Sequence, residues 1–368
     1  MWDCPSLIDD RHMSVLGQTY AGRTENRGEI GMLRYILKRL IQSLVTILLV
    51  VSIVFLLMRL MPSDYFFTED ELIKFTDEQK EDKLRRLGLL DPPLVQLGNF
   101  YKNMLKIERV DDSGKVTPDG THTRLVFNLG DSMRLEKGQP VTKVIAQKLG
   151  ISMHIGLIAL ALSLVLGVVL GVLQANFKDR LIDHIGTAYT VVVNAVPHLV
   201  IYTVIMILGA SWFNLPMRYS GRLNTQLSMV LPIVCLSVGS TAGYMLWTRR
   251  YMVDELNKDY IRLAKLKGLS SRKVMFRHVL RNAFVPLAQY LPYSILLTVG
   301  GSLLVETFFS VPGMGPELTK AIGRYDLNLV QGIVLLYATL GILGVFLGDL
   351  LMTLIDPRIK LTGKGDVR

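Results

Sequence analysis

Six blocks of apolar residues, each long enough to cross a bilayer as a helix, constrain this chain more than any other feature. They run from about Leu40 to Leu60, Ile151 to Leu173, Ile185 to Trp212, Met229 to Thr248, Leu287 to Phe309 and Leu329 to Ile355. A hydrocarbon layer of roughly 30 Å takes about 20 helical residues. Backbone polar groups cannot be left unpaired in lipid, so the blocks are expected as helices rather than strands. The expected fold class is all-α, a polytopic membrane helix bundle with six transmembrane helices.

Orientation follows from Lys and Arg, which gather on the cytoplasmic side of short loops. Ten of them fall between Arg249 and Pro286, against four in the two short loops of the opposite side. The long stretch between Arg59 and Lys148 holds 15 more, matched there by 15 Asp and Glu, and a hydrophilic region of that length is translocated largely regardless of charge. Both termini are therefore expected in the cytoplasm. The net charge of +10 sits beside the spans, where this bias already accounts for it, so nucleic acid is not an expected partner. Cys4 and Cys235 fall on opposite sides of a lipid boundary, and no disulfide or metal framework is expected.

Along the chain, residues 1–31 are polar and without apolar periodicity, and read as a disordered extension. Residues 32–62 form the first span and 63–148 an extracytoplasmic region. Residues 149–360 form the core with five spans and the cytoplasmic loop 249–286, and 361–368 are a cytoplasmic tail. Within the extracytoplasmic region Asp77 to Arg86 and Leu94 to Ile107 have helical patterns. The turn-rich Asp111-Asp112-Ser-Gly114 and Pro118-Asp-Gly120 look like an inserted hairpin or flexible loop. Helix breakers sit inside spans at Pro197, Pro232, Pro292 and Gly300-Gly301. They serve either ordinary small-residue packing or the bending of helices that line a pathway.

Motifs of covalent chemistry are missing: there is no Gly-x4-Gly-Lys-Ser/Thr phosphate loop, no His-Glu-x2-His, no Gly-x-Ser-x-Gly and no Cys-x2-Cys. Ion-coupled transport usually places ionisable residues at mid-span. Here Glu306 and Asp349 lie toward the span ends, with no buried partner evident in the sequence. An external energy source fits better, although a stand-alone ion-coupled carrier is the rival reading.

The loop 249–286 offers a place for such a source to attach. On a helix Leu263, Leu266 and Leu269 fall roughly on one face, while Ala264 and Gly268, four apart, leave room for a partner's backbone. Arg262, Lys265, Lys267, Arg272, Lys273 and Arg277 surround that face with donors. The residues alone fit equally well a basic amphipathic helix lying on anionic headgroups.

Asp259-Tyr-Ile-Arg-Leu-Ala264-Lys-Leu-Lys-Gly268-Leu, followed by Arg277-His-Val-Leu-Arg-Asn282-Ala, resembles the conserved cytoplasmic loop of permease subunits in binding-protein-dependent ATP-binding-cassette importers. The likeness is to the dipeptide, oligopeptide and nickel branch. Arg59-Leu-Met-Pro62, Leu87 to Gln96, Val305 to Gly315, and Asp349-Leu-Leu through Asp356-Pro-Arg-Ile359 resemble further segments of that branch. The head, an insertion near 108–124, and Gly150 where the family often has Pro depart from it. The resemblance implies the type I ABC importer permease (MetI-like) fold. It also implies a second, similar permease, two cytoplasmic ATPases holding ATP and magnesium, an extracytoplasmic solute-binding protein, and no cofactor on this chain. The expected solute is a di- or oligopeptide, with nickel or another small solute as the alternative. Arg262, Ala264, Lys265, Gly268, Arg272 and Arg277 are expected at the ATPase contact, with His278 and Arg281 capping or tethering the loop's second helix.

Overall fold

The computed structural model describes residues 36–60, 66–67, 69–86, 88–110, 122–221 and 225–355. The expected disordered head, the tip of the insertion and the tail lie outside the described residues. The chain begins with α1 (Ile36–Arg59), then α2 (Glu69–Lys74), α3 (Asp77–Arg86) and α4 (Pro93–Met104), and a hairpin of β1 (Leu105–Val110) and β2 (His122–Phe127). The strands pair antiparallel, with Leu105 opposite Phe127 and Val110 opposite His122, while the turn residues that suggest a hairpin or flexible loop lie outside the described residues. After it come α5 (Val141–Asn176), α6 (Leu181–Ala195), α7 (His198–Phe213), α8 (Thr225–Leu256), α9 (Asp259–Leu266) and α10 (Ser271–Val274). A π-helical turn (Met275–Val279) leads into α11 (Leu280–Val299), followed by α12 (Leu303–Phe308), α13 (Met314–Gly323) and α14 (Leu327–Ile355).

Five stretches are long and apolar enough to cross a membrane: α1, α5, α8, the run Ser271–Phe308, and α14. The expected third span is instead the pair α6 and α7, bent by 111°, which makes a sixth crossing if the pair is one span. Pro197 explains the break: its ring disfavours helical backbone at the preceding residue, and Val196 is extended at φ −83°, ψ 133°. The expected fifth span likewise breaks at Gly300-Gly301, where Gly301 takes φ +83°. Apart from the hairpin, the described chain is a helix bundle, the all-α class expected.

Packing is inverted relative to a soluble protein. On α5 the small residues Ser152, Gly156, Ala159, Ser163, Gly167 and Gly171 are buried, while Val165 and Val169 are exposed. Lipid tails are as apolar as Leu, so helices associate through small residues that let backbones close up. A Cβ on Gly167 would lie 2.5 Å from the Tyr244 Cβ, and one on Gly171 2.6 Å from the Thr248 Cβ. Thus α5 and α8 run side by side in backbone contact, and α11 packs on α14 where Gly344 meets the Tyr293 Cα.

The bundle has two ends. The loop end carries α9, α10 and the π turn; the cap end carries α2–α4, the hairpin, α12 and α13. At the cap end Glu306 is buried and accepts hydrogen bonds from Gly315 N at 2.8 Å and Ser302 N at 3.1 Å, while Met314 N donates to Ser152 Oγ at 2.7 Å. Asp326, also buried, accepts from Ser132 Oγ at 2.5 Å and from the backbone of Met133, Arg134 and Leu135. Burial pushes that carboxyl up, but these donors outweigh it and hold it below its ordinary value.

Candidate functional site

At the loop end, α8 passes through Asn257 and Lys258 into α9, an eight-residue helix with one inward face. Ile261 and Ala264 are buried, packed with Ala175, Met252, Val274, Met275, Val279 and Ala283. Three-residue spacing puts both on one side, and that side rests on the ends of α5, α8 and α11. The opposite side is open: Arg262, Leu263, Lys265 and Leu266 are exposed, Leu266 to 84%.

The expectation that Ala264 leaves room for a partner is corrected by this geometry, because Ala264 is only 8% exposed and faces its own bundle. Gly268 has a conformational role of its own. It takes φ +78°, and a Cβ there would meet nothing within 4 Å. Its N–H donates to Lys265 O at 3.0 Å, and Leu269 N donates to Ala264 O at 3.3 Å. These are the paired bonds of a left-handed helix stop, which glycine makes without steric cost. Gly268 therefore ends α9, and the open space around it leaves the expected close contact with a partner unopposed by this chain.

Ser270 starts the next helix, its Oγ accepting from Lys273 N at 3.4 Å. Arg272, Lys273, Phe276, Arg277 and Arg281 are exposed along this second helical stretch, and His278 is partly buried. Among the described residues neither His278 nor Arg281 makes a side-chain hydrogen bond or ion pair, so the expected tether is not theirs. It is built from Glu255, Tyr260 and Asn282. Tyr260 donates its phenolic hydrogen to Glu255, Asn282 Nδ2 lies 3.1 Å from Glu255 Oε1 and 2.8 Å from the Tyr260 oxygen, and Lys258 Nζ lies 2.6 Å from Glu255 Oε2. Burial and the neighbouring carboxylate push the Tyr260 phenol up to about 12, so it remains a donor throughout the neutral range. Tyr260 and Asn282 both lie within the motif stretches, but no helical period links them.

A second brace stands nearly two turns back along α8. Arg249 Nε and Nη2 meet the two oxygens of buried Asp183 at 2.5 and 2.7 Å, a bidentate fork of the strong kind. Asp179 N also donates to Asp183, at 3.0 Å. The brace ties the α5–α6 turn to α8.

Between α5, α8, α11 and α14 lies a cleft of about 840 Å³, lined in part by Ser240, Trp247, Tyr251, Tyr290, Tyr293 and Asp349. Asp349 is paired to Arg39 Nη2 at 3.3 Å and accepts from Gln289 at 3.2 Å. With Glu306 held by backbone donors, both acidic residues singled out in the spans have structural partners, which the sequence did not disclose. On the adjoining face the α6–α7 break exposes Asn194 and His198, and His198 lies opposite Gly239, halfway along α8. Among the described residues, no group of three His, Cys, Asp or Glu could hold a metal ion.

The sequence profile described as binding-protein-dependent transport system inner membrane component matches residues 167–361. The chain is similar to the dipeptide transport system permease protein DppB of Bacillus subtilis, 30% identical over 334 residues that cover 91% of this chain and all of that protein. It is 32% identical over 331 residues to the DppB of Lactococcus lactis subsp. cremoris, covering 90% of this chain and 100% of the relative. With the oligopeptide transport system permease protein AmiC of Streptococcus pneumoniae it shares 37% identity over 213 residues, 57% of this chain and 42% of the relative.

Proposed function

The chain belongs to the family of binding-protein-dependent transport system inner membrane components, and from that premise we propose that it is the permease subunit of an ATP-driven importer of di- or oligopeptides. It is a multi-pass membrane protein. The loop end is assigned to the cytoplasm, with both termini, and the cap end to the outside, on the strength of the Lys and Arg bias. The peptide assignment rests on the names of the relatives that match most of its length.

One observation carries the mechanism: α9 is anchored on one side by Ile261 and Ala264 and offers Arg262, Leu263, Lys265 and Leu266 on the other. Exposed leucines rimmed by cations suit a groove with apolar floor and acidic or carbonyl edges, such as an ATPase subunit would present. Arg272 and Arg277 extend the cationic rim. A push on α9 reaches α8 and α11 directly through the Glu255, Tyr260 and Asn282 network. Closure of two ATPases on nucleotide then biases a two-state bundle between inward and outward opening, which requires different contacts in the two states. The chain itself supplies no hydrolytic group; ATP and magnesium belong to the ATPases. The aromatic cleft and the exposed polar break at Asn194 and His198 are assigned to the face that a second permease covers, with the solute passing between them.

Leu266→Asp tests this reading. The variant should insert normally, lose co-purification with the ATPase subunits and abolish uptake of labelled peptide. A chain that imports peptide in liposomes without any ATPase would be an ion-coupled carrier instead.

A further inference from the structure

The cap end holds a small polar pocket that the import mechanism above does not use. Its volume is about 220 Å³, and it lies among the end of α1, α4, the turn after β2 and the start of α14. That is below the roughly 300–1,000 Å³ of sites that enclose a whole drug-sized ligand, so it suits the end of a molecule.

Arg59 enters this pocket from α1. Its guanidinium sits 4.7 Å from the Phe55 ring centroid and 5.6 Å from that of Phe66. Among the described residues it has neither ion pair nor hydrogen bond, and its Nε is buried without an acceptor. Aromatic contacts steady the fork while leaving its N–H edge to seek a planar acceptor.

Gln96 faces the same space and is only 8% exposed. Its Nε2 donates to Leu89 O at 3.0 Å and Asp91 O at 2.7 Å, which fixes the orientation of the amide. Its Oε1 is then buried with no donor. Three further carboxamides, Asn99, Asn103 and Gln331, line the pocket without a side-chain hydrogen bond among the described residues, and Gln331 is also buried.

A ligand that satisfies these groups must bring a carboxylate-like acceptor to Arg59 and an N–H to Gln96 within the same pocket. A peptide's carboxyl end carries both, its last amide N–H standing beside the terminal carboxylate. The neighbouring carboxamides each offer a donor and an acceptor to the amide backbone. A phosphate presents the acceptor without the N–H. We propose that this pocket binds the free carboxyl terminus of a peptide at the outer face, through Arg59 and Gln96. The inference rests on the peptide reading above and deepens it, giving this chain a selection of its own for unblocked peptides.

The test uses the full chain in lipid nanodiscs, with trialanine and trialanine amide as probes and saturation-transfer NMR titration as readout. Trialanine should bind, and the amide should bind about tenfold more weakly or worse, a factor worth about 1.4 kcal/mol. Arg59→Gln should weaken trialanine by a similar factor. Asn99→Asp changes an exposed position and keeps the test open should Arg59→Gln misfold; it should weaken trialanine by like-charge repulsion. Equal binding of acid and amide, or wild-type affinity in Asn99→Asp, overturns the proposal, as does displacement of trialanine by equimolar inorganic phosphate. Uptake by the assembled transporter is measured separately. Peptide that is imported but shows no acid preference in the nanodisc titration removes this site and leaves the import reading standing.

Discussion

Tyr260 and Glu255 are joined by a hydrogen bond across the turn between α8 and α9, so the short helix is fastened to the long one by side chains as well as by the chain itself. Asn282 closes the triangle from α11. The short helix is thereby tied to two spans at once.

Tyr260→Phe keeps the ring and removes the donor. Glu255 retains Lys258 and Asn282, so its carboxylate is not orphaned. The expected loss is that of one hydrogen bond to a charged group, about 1.5–3 kcal/mol. Amides of α9 should exchange faster with deuterium while those of α5 are unaffected, and transport should fall relative to ATP hydrolysis. Unchanged protection across 259–266 would mean that the turn is held by other contacts.

Gly268 separates a conformational from a steric role. With φ +78° and open space around the position, Gly268→Asn should be the mildest substitution, because Asn tolerates the left-handed region. Gly268→Ala should cost about 1–2 kcal/mol of local stability, and Gly268→Leu little more. Should Leu abolish ATPase co-purification while Ala leaves it intact, the partner does press close there.

Removing one member of a buried ion pair strands the other. Arg249→Ala should destabilise the chain by about 3–5 kcal/mol, and Asp183→Asn combined with Arg249→Gln should lose clearly less than the two single changes together. Denaturation in detergent over the four-variant cycle measures this. Additive losses would show that the fork at 2.5 and 2.7 Å contributes no coupling.

Acid should loosen the cap through Asp326. Its folded carboxyl lies below the ordinary value, so the stabilisation is complete above the unfolded pKa and is lost as pH falls through the folded one. Protection of the Met133, Arg134 and Leu135 amides, which donate to it, should fall in that acid window once rates are corrected for the slower intrinsic exchange in acid. Asp326→Asn should exchange fast already at neutral pH and show a flatter acid response. A wild-type profile in that variant would remove Asp326 from the account.

The spans were legible because lipid thickness sets a minimum helix length, a requirement a single sequence displays directly. Pro197 marked a break, but its angle depends on how α6 and α7 settle on α8. The loop's helices were legible and their orientation was not: four-residue spacing pairs Ala264 with Gly268 without saying on which side the bundle lies. Glu255 and Asn282 are 27 positions apart, and Arg39 and Asp349 lie in the first and last spans. No local period connects such pairs, so only the folded chain brings them together. The pocket at Arg59 was hidden for the same reason, assembled from segments far apart in the chain.

The bend between α6 and α7 has a consequence for stoichiometry. It sets His198 on the outside of the molecule beside Gly239, halfway along α8, where hydrocarbon offers its ring nitrogens nothing to bond with; Asn194, also exposed, donates to Thr190 O at 2.7 Å. A solitary copy would have to tilt, draw water inward or recruit a companion. On the assembly proposed above, an orphaned copy would therefore sit less comfortably in the membrane than a paired one, before any nucleotide or solute arrives.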